Sequence, residues 1–291
     1  MQIIVHTGAH ATSEDRLMKC LLSNVDGFQK QGVAVPGPGK YRDLIKQSCK
    51  ALEQGAPSPD AREILLDAIL DEEEADRLVL SVPNLFSSRN YVLDDGMLYP
   101  QAGKRVGQLK QLFQHDQLEI FMAIRNPAIL LPSVLGKAPE KVIAAALNTT
   151  DLMQLRWADM IEDIRMSAPN VPVTVWCYED APLIWAQIIR EMAGLDHGEK
   201  ITGGFDLLST IMTREGMKRF RAYLHEHKSL SEVQKRRVIA AFLDKFAIED
   251  ELEEELDLPD WTEELVDAMS DAYDEDVYQL QRIPGVQFIA P

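Results

Sequence analysis

A chain of 291 residues, 46% hydrophobic and 26% charged, can bury a sizeable core and is too apolar for wholesale disorder. Its formal charge of −17 is concentrated between Glu249 and Asp276, which hold fifteen acids and no Lys or Arg, so the remainder sums to about −2. Such an acidic surface excludes general binding to nucleic acid or to anionic membranes, whose phosphates it repels.

The chain opens directly into the apolar run Ile3-Ile4-Val5, with no basic segment ahead of it, so no signal peptide is expected. No apolar run approaches the length of a membrane span. Cys20, Cys49 and Cys177 are widely spaced and form no C-x-x-C pattern. They point to a reducing, cytoplasmic compartment and to neither a disulfide framework nor a zinc site.

The first predicted element is a strand at residues 3–6. It enters Thr7-Gly8-Ala9-His10-Ala11 and then a helix at 12–23, where Thr12 or Ser13 is the expected N-cap and Glu14 and Asp15 suit the first turn. Helices at 41–53 and 59–71 follow, separated by the breaker Gly55-Ala56-Pro57-Ser58-Pro59. A second strand at 78–82 runs into a long polar segment, 83–104, which reads as a substrate-gate candidate. Next come a helix at 103–114, a strand at 119–124 and helices at 139–147 and 151–167. A strand at 171–177 and a helix at 182–193 complete the alternation. From residue 213 onward the pattern is helical except for a final strand at 285–289. Short apolar strands alternating with helices predict an α/β fold, a parallel sheet covered on both faces. The chain reads as a single domain over 1–291, with 205–282 a mostly helical extension packed on it.

Three strand ends carry chemistry. The tight loop after the first strand aims backbone N–H groups and a helix dipole at one spot, a ready anion site. No G-x-x-x-x-G-K-[ST] pattern is present, which disfavours an ordinary ATPase. The strand at 119–124 ends in Arg125-Asn126-Pro127, with Ser133 eight residues after Arg125. Arg125 is placed either to hold a phosphate bidentately, with Ser133 donating to the same group, or to pair with a carboxylate such as Asp180. The strand at 171–177 ends in Tyr178-Glu179-Asp180, whose acids read as a cap for the next helix in preference to catalytic groups.

Taken in order, these segments resemble the sulfotransferase superfamily, whose members transfer a sulfuryl group from 3′-phosphoadenosine 5′-phosphosulfate (PAPS). Arg125 and Ser133 match in type and spacing the pair that grips the donor's 3′-phosphate. Cys177-Tyr178-Glu179-Asp180-Ala181 is similar to an Arg-Tyr-Glu-Asp-Leu segment of many bacterial members. Leu80-Ser81 with Asn84-Leu85-Phe86 is similar to the second strand, and 271–280 to the terminal helix. The resemblance implies a three-layer parallel sheet of P-loop nucleotide-binding type. It also implies a PAPS or PAP ligand held by Gly8, Thr12, Ser13, Arg125 and Ser133, a hydroxyl or amine acceptor on a small molecule or carbohydrate, and no metal.

The departures lie in the donor loop. Matching Gly8 to the family's first loop glycine puts His10 at the proline, Ala11 at the lysine, Ser13 at the glycine, and Glu14 and Asp15 at the Thr/Ser positions. Loss of one preorganised cationic group costs roughly 3 kcal/mol of barrier. A protonated His10 is the candidate to replace that charge, which makes it the expected catalytic residue. His6, at the strand end, is expected to pack beneath the loop. The family's second-strand carboxylate is also missing, since Pro83 and Asn84 stand there. A non-catalytic binding protein on the same fold is the alternative. The stretch 214–245, with nine Lys or Arg against four acids, is expected to pair with the acidic segment 249–276 across a helix interface. That acidic segment otherwise reads as a solvated surface or a partner site.

Overall fold

The computed structural model describes residues 1–71, 73–94, 96–252 and 256–291, and of Glu14 the backbone only. Strand β1 (Gln2–Gly8) leads to helices α1 (Glu14–Leu22) and α2 (Val25–Gln29), then to the short strand β2 (Val33–Ala34). Helices α3 (Arg42–Leu52) and α4 (Ala61–Leu70) precede β3 (Arg77–Ser81). A small hairpin, β4 (Leu93–Asp94) and β5 (Met97–Leu98), is followed by α5 (Ala102–Leu112) and β6 (Gln117–Ile124). Then come α6 (Pro127–Leu135), α7 (Glu140–Leu147), α8 (Trp157–Ser167), β7 (Val173–Cys177) and α9 (Ala181–Ala193). The C-terminal part holds α10 (Leu208–Ile211), α11 (Arg214–Glu226), α12 (Glu232–Phe246), α13 (Glu263–Leu280) and β8 (Val286–Phe288).

Six strands form one parallel sheet in the order β2-β3-β1-β6-β7-β8. Its central strands are buried along almost their whole length, β7 at every residue, as continuous apolar runs require when both faces are covered. Alternation along β1 splits the core. Ile3 and Val5 face a layer built from α3, α4, α5, α6, α8 and α13, while Ile4 faces α1 and α9. The α/β fold with a helix-covered parallel sheet is therefore as expected. From β1 the chain first builds outward to β2 and β3, then crosses to β6 on the other side. The C-terminal ends of β1 and β6 thus mark the switch point at which open parallel sheets present a crevice.

Three expectations need correction. The helix expected at 151–167 begins only at Trp157, because its cap comes from far along the chain: Asp276 Oδ2 accepts from Trp157 N (2.6 Å) and Oδ1 from Ala158 N (3.2 Å). The segment 83–104 is not an open gate. Leu85, Phe86, Val92, Leu93, Leu98 and Tyr99 are buried in the same core layer as Ile3, and the hairpin lies within the segment; Asp95 is outside the described residues. Third, the described residues show no pairing of the basic stretch with the acidic one. Among the described residues no ion pair joins 214–245 to 249–276. The reason is architectural: α12 packs on α9 at one face of the sheet, whereas α13 packs on α6 and α8 at the other. The tail also departs from continuous helix, since the described residues of 247–262 hold only a short turn, Glu249–Glu251.

Candidate functional site

Strand β1 ends on Gly8, in register with Ala123, and Ala9 N still donates to the Ala123 carbonyl at 3.3 Å. The chain then turns sharply into α1 through two left-handed non-glycine residues, Ala11 (φ 58°) and Ser13 (φ 61°). Each such conformation costs roughly 1–2 kcal/mol for an L-residue, so it persists only where the surroundings over-determine it. Those surroundings are identifiable. Thr12 Oγ1 donates to the Ala9 carbonyl (2.7 Å), Arg125 Nη1 donates to the Ala11 carbonyl (2.7 Å), and Ser13 Oγ shares a hydrogen bond with the Tyr178 hydroxyl (2.7 Å). Ser13 holds the N-cap position of α1, but neither it nor Thr12 caps through its side chain, because both hydroxyls are engaged within or beside the loop.

His10 is buried in this loop, with only 2% of its surface exposed. Its Nε2 lies 2.7 Å from Asn84 Oδ1. Its Nδ1 lies 2.9 Å from the Tyr99 hydroxyl, which also accepts from His10 N at 2.8 Å. The ring stacks on Tyr99, and Tyr99 stacks on Trp157, at centroid separations of 5.7 and 5.8 Å. Trp157 Nε1 in turn donates to the Arg125 carbonyl (2.9 Å), so the ring stack ties the β1 loop to the end of β6. One layer below, His6 is buried against Ser81 Oγ (3.0 Å) and Trp176. Burial and the nearby Arg42 push its pKa down to about 3, the packed role expected of it.

At the end of β6, Asn126 caps α6 by accepting from Ala128 N (2.9 Å), and Pro127 takes the first helical position. This turn leaves the buried Arg125 guanidinium 5.1 Å from the centre of the Tyr178 ring, a cation–π approach. Glu179 braces the same turn. Its Oε1 accepts from Asn126 N (2.8 Å) and its Oε2 from the Tyr273 hydroxyl (3.2 Å), while burial raises its pKa against the lowering influence of those donors and Arg125. Glu179 therefore stabilises the β6–α6 turn, and not the start of α9 as expected.

Between these strand ends lies a crevice of about 600 Å³. Ser13, Arg16, Arg125, Tyr178, Glu179, Thr210 and Glu251 supply its polar lining, and Ile129, Leu207, Ile211 and Leu252 line its apolar walls. Of the six residues singled out from the sequence, Ser13 and Arg125 line it. His10 and Thr12 support the loop from beneath, and Gly8 ends the strand. Ser133 lies off the lining, on α6, where its hydroxyl donates back to the Ile129 carbonyl at 2.7 Å. Sequence reasoning missed Arg16 and the wall formed by α10. Arg16 was legible as the cation in the first turn of α1; the wall had no local signal. Among the described residues no cluster of His, Cys, Asp or Glu is placed to hold a metal ion, and no helix is long and apolar enough to cross a membrane. Burial raises the pKa of each cysteine, Cys20 and Cys177 to about 12 and Cys49 to about 11, so none is a thiolate at neutral pH.

A crystal structure of a sulfotransferase from Alicyclobacillus acidocaldarius aligns with 87% of this chain and 99% of its own, at 13% identity and a TM-score of 0.40. The likeness is a distant one. No protein-family model and no curated protein matches the chain.

Proposed function

We propose that the chain is a sulfotransferase-like protein that binds a 3′-phosphoadenosine nucleotide in this crevice. One observation carries the reading: Ser13, Arg16, Arg125 and Tyr178 face a single crevice at the C-terminal strand ends and the start of α1. Two guanidinium groups suit a ligand bearing separate phosphates, each fork donating two parallel hydrogen bonds to one group. The α1 N-terminus adds partial positive charge, and the left-handed Ser13 ahead of helical Glu14 turns successive N–H groups toward the same side. With these cations in place the reading calls for no metal. A small-molecule or carbohydrate acceptor would lie against Ile129, Leu207 and Ile211. In transfer, its oxygen or nitrogen bonds to sulfur as the sulfur–oxygen bond to the 5′-phosphate breaks, and the acceptor gives up a proton. A cytoplasmic setting belongs to the same reading, since all three cysteines are free and buried.

Isothermal titration with 3′-phosphoadenosine 5′-phosphate tests the binding step. Saturable heat is expected, weakened at least ~10-fold in Arg16→Ala and Arg125→Ala. Arg16→Ala is the cleaner variant, because Arg125 also holds the Ala11 carbonyl. No heat at millimolar nucleotide, or unchanged affinity in both variants, overturns the proposal.

One observation favours the second reading, a binding protein without transferase activity. The loop position of the family's lysine is Ala11, and both ring nitrogens of His10 are engaged by Tyr99 and Asn84. Incubation with labelled donor and a broad acceptor panel separates the two. Turnover that disappears in His10→Ala supports transfer, and nucleotide binding without turnover supports the second reading.

A further inference from the structure

Two helices carry rows of charge that no ion pair among the described residues neutralises. On α11, Arg214, Lys218 and Arg221 recur three or four positions apart, so they share one side of the helix. All three are exposed, as is His225, the next residue in the row. Met217 and Phe220, on the buried side, anchor α11 against α12. On α13, Glu264, Asp267, Asp271 and Asp274 follow the same spacing and are exposed. They lie opposite Met269, Tyr273 and Leu280, which face the core. Among the described residues none of these basic or acidic side chains is in an ion pair.

The two rows are complementary in sign, spacing and length. Each spans about three helical turns, roughly 15 Å. They cannot meet within one molecule, because α12, with α11 on it, covers α9 on one face of the sheet and α13 covers the other. We propose that they meet between molecules: the basic row of α11 in one copy docks on the acidic row of α13 in a second copy. The net charge of −17 does not forbid this, since fifteen of the acids lie in 249–276 and the remaining surface is close to neutral. Beyond a Debye length of about 8 Å in physiological salt, that wider repulsion is screened, whereas docked pairs lie well inside it. Because the rows are on opposite faces, one contact leaves an unpaired row at each end. Association is therefore heterologous and continues past the dimer unless a ring closes.

Sedimentation velocity of the full chain over a concentration series tests the proposal. At about 50 mM NaCl the average mass rises with concentration, and at about 500 mM NaCl the association constant falls at least ~10-fold. The triple variant Arg214→Glu, Lys218→Glu, Arg221→Glu stays monomeric, as does Glu264→Lys, Asp267→Lys, Asp271→Lys. Mixing the two restores association, because each supplies the row that the other lacks. That complementation separates a docking contact from damage to the fold. A wild-type chain monomeric in low salt overturns the proposal. So does association insensitive to salt, or a mixture in which both variants stay monomeric.

Discussion

Replacing His6 by Gln should make this protein more stable in mild acid relative to the wild type. His6 is 1% exposed, sits against Ser81 and Trp176, and has its pKa pushed down to about 3 by burial and by Arg42. In the unfolded chain the same ring titrates near 6.5. Between those values the unfolded state binds the extra proton, so the stability conferred by a neutral His6 is lost as pH falls. From near pH 7 to near pH 5 the loss is about 2 kcal/mol. A second buried group works in the opposite sense. Burial raises Asp276 from 3.8 to about 6 despite its two backbone donors, so the folded state binds the extra proton between those values. Over the same interval Asp276 adds about 1 kcal/mol as pH falls. The two partly offset each other in the wild type. His6→Gln, which can keep a hydrogen bond to Ser81, removes the acid-sensitive member. Its stability relative to wild type should rise by about 2 kcal/mol on going from pH 7 to pH 5, whatever its absolute offset. Asp276→Asn should show the opposite change, a relative fall of about 1 kcal/mol. Urea unfolding followed by tryptophan fluorescence at both pH values measures each difference. If His6→Gln tracks the wild type within about 0.5 kcal/mol, the reasoning is wrong.

Two backbone predictions follow from the packing. Ala11→Gly should raise the urea midpoint by about 0.5–1 kcal/mol of stability, because glycine adopts the left-handed loop conformation without strain; a loss of stability would show that Ala11 is not strained. Gly103→Ala should cost about 1–3 kcal/mol, since its Cβ would lie 2.3 Å from Asp163 Oδ2 and 2.7 Å from the Asp163 carbonyl where α5 meets α8. A Tm unchanged from the wild type would refute that close approach.

The sequence by itself determined most of the sheet-forming strands and most of the helices, since each is written locally. An apolar run too short for a helix is a strand when both faces are covered, and β1, β3, β6 and β7 all announce themselves in that way, whereas β8, an edge strand with Gln287 exposed, was legible only as a final strand at 285–289. It also set Arg125 just past the end of β6 and Ser13 at the start of α1, two positions that line the crevice. The two-residue strands β2, β4 and β5 were not legible, because a pair of residues has no periodicity. Only the tertiary structure decided where α8 begins, for its cap is supplied by Asp276, 119 positions from Trp157. It likewise decided the setting of His10, whose partners Asn84 and Tyr99 lie 74 and 89 positions away. The opposed charge rows were visible in the sequence as composition alone; the sheet that keeps them apart was not. Patterns of burial repeat over neighbouring residues and can be read one segment at a time, whereas a hydrogen bond or ion pair needs two segments brought to one place. That meeting is settled by the packing of the whole chain.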